Sequence, residues 1–163
     1  MASSATANIL LRVAPGTVWK AWRNLKQWPE WQPETVKAHW VDGSNAWEIG
    51  SRFMLLRQIP FGILGRIPGA NSRSFIGEVL STAEEQLLVW ELRPSRVNWF
   101  GPIIVQSVRL TPAPSGTTVT LTLSTHGLGP TLLRPFLGGR LQSQAEATLE
   151  GLRYQLLPII RGR

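Results

Sequence analysis

Few residues in this sequence could perform acid–base chemistry or ligate a metal. The 163 residues include two histidines, His39 and His126, a single aspartate, Asp42, and no cysteine. His39 lies in an alternating segment and His126 at the end of another, so each is better explained as a surface or hydrogen-bonded structural histidine than as a catalytic base. Asp42 belongs to an Asp-Gly turn signal, which argues against a Ser-His-Asp triad. The sequence therefore predicts no metal site and no cofactor.

Two charged residues in strand-like segments could meet inside the fold. Arg109 shares strand parity with Val105, and Glu91 shares it with Val89. A charge on the inner face of a sheet is costly unless it is paired. One hypothesis is therefore a buried Arg109–Glu91 pair, or Arg109 meeting a ligand carboxylate; the simpler alternative places both on the outer face. Trp90 and Glu91 are neighbours, so at most one of them faces inward, and both remain candidates.

Eight tryptophans give the chain an unusual supply of large aromatic side chains. Those between residues 19 and 31 are best explained by packing between helices, whereas Trp90 and Trp99, which flank a predicted hairpin, could equally line a cavity. An apolar ligand site needs aromatic walls and a few convergent polar groups. The candidate cavity residues are Phe53, Phe75, Trp90, Glu91, Trp99, Arg109, Leu121, Leu137 and Leu141.

A sheet must position most of these residues. Apolar and polar residues alternate most clearly where Val119, Leu121 and Leu123 interleave with threonines. Such alternation is typical of antiparallel strands with one buried face. The sequence predicts strands at residues 9–13, 35–41, 51–59, 74–80, 87–92, 103–111 and 117–125.

Helical periodicity occurs on either side of these strands. Apolar residues at spacings of three and four predict a short helix near residues 17–25, and prolines separate it from a second at 27–32. A longer apolar stripe predicts a helix from Leu132 to Leu157, weakened at Gly138-Gly139 and ended or kinked by Pro158. Its apolar stripe needs cover, and the sheet offers the only large apolar face. The fold class is therefore α+β, with a pocket expected between sheet and helix.

Length and charge restrict the other possibilities. We expect one domain over residues 8–160, preceded by a flexible lead-in at 1–7 that does not resemble a secretory signal. No apolar stretch approaches the roughly 20 residues that span a bilayer, and we expect a cytoplasmic protein. The net charge is +7, but the arginines are scattered. A solvated basic surface is therefore favoured over a nucleic-acid site, while transient contact with an anionic membrane stays possible.

The order and spacing of several short motifs resemble the START-like superfamily, and within it the polyketide cyclase/dehydrase and lipid-transport family. The resemblance covers Asn8 to Leu157. It implies a helix-grip fold, in which a curved antiparallel sheet of about seven strands wraps around a long C-terminal helix, with two short helices after the first strand. The motifs are Ala14-Pro15 before Val18-Trp19, Trp28-Pro29-x-Trp31, Gly50 before a strand with Phe53, Leu88-x-Trp90 and Gly116-Thr117-Thr118-Val119.

The resemblance implies a class of ligand without choosing an activity. Members of the superfamily bind lipids, sterols, quinones or polyketides, and some are cyclases or hydratases, so fold alone does not decide function. The leading hypothesis is a non-catalytic carrier or sensor of a hydrophobic small molecule, because acid–base groups are scarce. The alternatives are a cyclase or dehydratase acting on an apolar substrate, and a membrane- or partner-docking module. The apolar segment Pro60 to Asn71 could be a lid over the pocket.

Overall fold

The alternating segments form one antiparallel sheet of seven strands. The computed structural model describes residues 3–58, 72–95, 103–126 and 130–162, with side chains of the last helix from Gly139 onward. The strand order in the sheet is β1-β7-β6-β5-β4-β3-β2. The strands are β1 (Ser3–Leu11), β2 (Thr35–Trp40), β3 (Arg52–Gln58), β4 (Ser72–Ala83), β5 (Leu87–Pro94), β6 (Ile103–Ala113) and β7 (Gly116–His126).

Helices follow the first strand and the last. Helix α1 (Pro15–Arg23) leads through a 3-10 turn at Leu25–Gln27 into the single-turn helix α2 (Trp28–Trp31), and helix α3 (Pro130–Arg161) follows β7. This arrangement confirms the predicted α+β, helix-grip fold. No helix in the described part of the chain combines the length and apolar character needed to cross a membrane.

The first strand is longer than the sequence predicts. Ser3 to Ala7, expected to belong to a flexible lead-in, pair with β7 from Thr125 to Leu121. Ala5 and Ala7 are buried in this segment and alternate with polar residues. The alternation involves alanines rather than large apolar residues, so its hydrophobic signal is weak. From Ser3 onward the expected flexible lead-in is therefore a strand of the sheet; the single domain and its bounds stay a prediction.

Helix α3 packs along β1 and β7 and touches α2. Ala145, Leu149 and Leu152 of its apolar stripe are buried. The helix is continuous past Gly139 and runs to Arg161, beyond the predicted end at Leu157, so Pro158 does not end it. Proline costs a helix one hydrogen bond. Leu156, in the turn before Pro158, is buried, and this burial offsets the cost of the proline. Helix propensities do not include such tertiary burial.

Tryptophans fill the core beneath the short helices. Trp22 and Trp28 lie with their ring centroids 5.8 and 5.5 Å from that of Trp90 on β5, and Trp28 lies 5.8 Å from Phe53 on β3. The Trp28 indole N–H donates to the carbonyl of Trp22 over 2.8 Å. Gly77 on β4 leaves room for the Phe53 ring, which a Cβ there would overlap. The early tryptophans are therefore core residues, as predicted, but the ring contacts of Trp22 and Trp28 extend to β3 and β5 and not only between helices.

Candidate functional site

Burial places five of the nine candidate cavity residues inside the fold. Each of these five side chains is at most 5% exposed. Trp99 and the Pro60–Asn71 segment lie outside the described residues, and Leu137 lies in α3 at a position whose side chain is not described. The five buried residues are Phe53, Phe75, Trp90, Leu121 and Leu141.

Glu91 and Arg109 both lie on the outer face, so the hypothesis of a buried pair is wrong. Glu91 forms an ion pair with Arg93 on its own strand, and Arg109 is exposed. Register separates the two as well: Glu91 lies opposite Val105 on β6, four residues from Arg109 and therefore about 13 Å along the strand. Trp90, fully buried, is the inward member of the Trp90–Glu91 pair.

The buried end of the sheet near Trp90 is tightly packed but short of hydrogen-bond acceptors. The indole N–H groups of Trp22, Trp31 and Trp90 are buried without a partner among the described residues. Gln106, opposite Trp90 on β6, also has a buried amide nitrogen without a partner. Each of these groups is a donor, so the interior favours acceptor oxygens.

A cleft of about 370 Å³ opens near Arg57 at the C-terminal end of β3, between the α2–β2 connection and α3. We call it the Arg57 cleft. Residues 32–34 form one wall, Arg57 lies between the walls, and the opposite wall is the face of α3 with Arg140, Gln144 and Thr148. A volume in this range fits the lower end of small-molecule sites in proteins.

Arg57 is a buried cation on the inner face of the sheet. Phe53, Leu55 and Arg57 occupy every second position of β3 and therefore share one face of the sheet. Phe53 and Leu55 are fully buried, and Arg57 is only 5% exposed. Its Nε has no hydrogen-bond partner among the described residues. Burial lowers the pKa of the Arg57 guanidinium below its ordinary value, and the nearby carboxylate of Glu34 offsets this only in part.

The hydroxyl groups of the cleft already donate to backbone or side-chain acceptors. Thr148 donates to the carbonyl of Gln144 over 2.8 Å, and Ser143 donates to that of Gly139 over 3.0 Å. Thr35, beside the opposite wall, donates to the side-chain oxygen of Gln32 over 3.0 Å. Of the cleft's lining residues, Arg57 is the one with a buried donor atom that has no partner among the described residues.

Arg57 was not among the residues selected from the sequence, although a signal for it exists. The predicted strand at 51–59 contains Phe53, Leu55 and Arg57 at one parity. The same rule that placed Arg109 on a possible inner face therefore applies to Arg57. The residues that share a face with Arg57, Phe53 and Leu55, are larger and more apolar than those that share a face with Arg109. Parity therefore indicates an inner-face position more clearly for Arg57 than for Arg109.

The remaining acid–base candidates do not converge on the cleft. His126 is exposed, with its Nε2 3.4 Å from the Ser124 hydroxyl, and His39 is half-buried on the edge strand β2. Asp42 forms an exposed ion pair with Arg52 over 2.7 Å. Within the described ranges, His, Asp and Glu residues form no group of three that could hold a metal ion. The cleft can thus bind an anion, but its described walls carry no paired acid and base.

A second cleft, of about 430 Å³, lies beside the first and shares Gln32 and Pro33 with it. Residues 29–33 form one wall, and Gly151, Tyr154 and Gln155 of α3 form the other. A Cβ at Gly151 would overlap the carbonyl oxygen of Trp31, so the glycine lets α2 approach α3 closely. This contact fixes the wall that the two clefts share.

Comparisons with known proteins agree with this geometry. A model of the family described as "Polyketide cyclase / dehydrase and lipid transport" matches residues 3–156. A comparison with curated proteins finds no match.

Solved structures with a similar fold cover nearly the whole chain. A protein from Thermus thermophilus has a TM-score of 0.71 at 16% identity, covering 96% of this chain and 98% of its own. A START superfamily protein from Mycobacterium smegmatis gives 0.69 at 16% identity, with the same coverage. The major latex-like protein 151 from Panax ginseng gives 0.66 at 13% identity, covering 95% of this chain and 97% of its own. At these identities the likeness shows the fold alone.

Proposed function

Because the chain belongs to the polyketide cyclase/dehydrase and lipid transport family, we propose that it binds a hydrophobic small molecule, such as a lipid, a quinone or a polyketide, between the inner face of its sheet and α3. The observation that carries the proposal is the Arg57 cleft, which opens between the α2–β2 connection and α3 beside the apolar inner face. Carriage or sensing is favoured over catalysis, since the cleft lacks an acid–base pair among the described residues.

The packing of α3 supports binding at this end of the sheet. The helix lies against β1 and β7, whereas the cleft borders β3, on the opposite half of the sheet. Tryptophans fill the space over β5, near Trp90. Near the cleft the inner face instead carries Leu55 and its cross-strand partner Phe75, both buried. Pro33 and Ala147 add apolar surface to the lining of the cleft itself, and a hydrophobic ligand needs such surface beside a few polar groups.

Titration with the neutral dye Nile red tests the proposal without reference to the ligand's charge. Ala147 lines the cleft and is exposed, so Ala147→Trp should narrow the mouth and raise the Kd for the dye about tenfold, which corresponds to about 1.4 kcal/mol. Glu146→Trp introduces the same bulk at the preceding exposed position, outside the cleft, and should leave the Kd unchanged.

Native mass spectrometry of protein purified from its own host provides a second readout. We expect a non-covalently bound hydrophobic molecule that organic extraction removes. Absence of any such molecule, together with no saturable dye binding, would contradict the proposed function.

A further inference from the structure

The Arg57 guanidinium is a buried cation that forms no ion pair within 4 Å among the described residues. It is 95% buried, since its relative exposure is 5%, and its Nε contacts no acceptor in the described part of the chain. A buried charge without a partner costs several kcal/mol and is rarely kept for stability. The group needs an anion that the described residues do not supply.

Glu34 does not fill that role, although it shares the cleft. Its carboxylate is close enough to favour the charged form of Arg57, but burial has the larger effect on the Arg57 pKa. The backbone carbonyl of Glu34 is already held by the amide of Gln58 over 2.8 Å, which fixes this wall of the cleft. Glu34 therefore reduces the positive charge of the cleft without neutralising it.

The charges around the cleft select the kind of anion. The carboxylate of Glu34 lines the cleft near Arg57. A phosphate monoester, carrying up to two negative charges, would therefore be repelled more strongly there than a singly charged carboxylate. The planar guanidinium fork matches the two oxygens of a carboxylate.

The described lining of the cleft also includes apolar surface. Pro33 on one wall and Ala147 on the other are exposed to the cleft. A molecule whose charged end meets Arg57 could lay its next atoms along these residues. We infer that the Arg57 cleft binds the carboxylate of an acidic hydrophobic molecule, with its apolar chain along Pro33 and Ala147. This inference rests on the proposed function and adds to it the chemical class of the ligand.

Calorimetric titration with decanoate and with decan-1-ol tests the inference, because the two probes share a chain and differ in the head group. The wild type should bind decanoate at least about tenfold more tightly than decan-1-ol. Arg57→Gln should abolish that difference by weakening decanoate binding about tenfold or more, while the affinity for decan-1-ol changes less than about threefold. Arg57→Lys should restore part of the preference, since it returns the charge without the fork.

Arg52→Gln is the matched control. It removes the same charge from the same strand, at an exposed position paired with Asp42, and should keep the preference for decanoate. Far-UV circular dichroism confirms that each variant is folded.

The outcomes separate the inference from the proposed function. Equal affinity for decanoate and decan-1-ol, or binding of Nile red without binding of decanoate, overturns the carboxylate inference and leaves the proposed function standing. Tighter binding of decyl phosphate than of decanoate also overturns it. If none of these probes binds, including Nile red, the proposed function fails and the inference fails with it.

Discussion

Replacing Arg57 by methionine should stabilise the ligand-free protein. The substitution keeps an unbranched side chain of similar length but removes a guanidinium that is buried with an unpartnered Nε. Side chains adapted to bind a ligand commonly cost stability in its absence. A residue that served only the fold would show the opposite effect.

The expected gain follows from the burial of the group. An unsatisfied buried donor costs about 1–3 kcal/mol. Exchange of buried charged groups for apolar residues of similar volume has stabilised proteins by about 1–4 kcal/mol. For Arg57→Met we therefore expect the free energy of unfolding to rise by about 1–3 kcal/mol. In a domain of this size that corresponds to a rise in Tm of roughly 3–10 °C.

Urea unfolding followed by tryptophan fluorescence measures this change, since the buried indoles report on loss of the core. The gain should be the same near pH 6 and near pH 8. Burial lowers the pKa of Arg57 in the folded state. A base whose pKa is lowered on folding disfavours the folded state at every pH below the folded pKa, and the penalty disappears only above the unfolded pKa. The guanidinium remains charged near neutral pH, so the penalty is constant there.

A loss of about 2 kcal/mol or more in Arg57→Met would refute this reasoning, because it would mean that the guanidinium has a stabilising partner in the folded protein. Arg52→Met is the control on the same strand. Its exposed ion pair with Asp42 contributes little, so the substitution should lower the free energy of unfolding by about 0–1 kcal/mol.

Four further predictions concern packing and the outer face. Gly151→Ala should lower the free energy of unfolding by about 1–3 kcal/mol in urea titrations, because its Cβ would meet a backbone carbonyl of α2 that cannot move aside. In the same assay Gly139→Ala should raise the free energy of unfolding by about 0.5–1 kcal/mol, because an added Cβ there meets no atom of the described residues within 4 Å; a loss would contradict the helix as described. Trp28→Phe removes the indole donor to the Trp22 carbonyl and should cost about 1–3 kcal/mol; an unchanged urea midpoint would show that this hydrogen bond contributes nothing. Arg109→Gln should leave decanoate binding unchanged by calorimetry, since the side chain is exposed on the outer face, and a tenfold loss would show that the side chain reaches the ligand.

The fold was predictable from the sequence because its signals are strong and local. The alternation in β7 and the apolar stripe of α3 each indicate one face that must be buried, and packing the helix against the sheet buries both faces. The limits of the elements were less predictable. The alanines of β1 carry too little hydrophobic signal, and the turn containing Pro158 is held by Leu156 through tertiary contacts. At Val36, a register shift in β2 exposes a residue that simple alternation would bury.

The site was less predictable than the fold, because strand parity gives the face of a residue only relative to its neighbours. Phe53 and Phe75, chosen as cavity candidates, are buried on the inner face, whereas the choice between Trp90 and Glu91 stayed open until the structure showed Trp90 buried. Glu91 and Arg109 sit on strands where both parities contain apolar residues, so parity could not decide their orientation. The walls of the cleft come from β3, the α2–β2 connection and α3, which are distant in sequence. No local sequence pattern predicts that these segments lie side by side.

The pairing of β1 with β7 has a consequence for how the chain folds. Ser3 pairs with Thr125, 122 residues later, whereas β6 and β7 are joined by a tight hairpin in which Ala113 pairs with Gly116. Closing the longer loop costs about 3 kcal/mol more in chain entropy than closing the hairpin. The meander from β2 to β7 can therefore form first, and β1 and α3 can join only after β7 has been synthesised. Such high contact order predicts refolding in milliseconds to seconds rather than microseconds. Until β1 adds to it, β7 presents an unpaired edge to other chains.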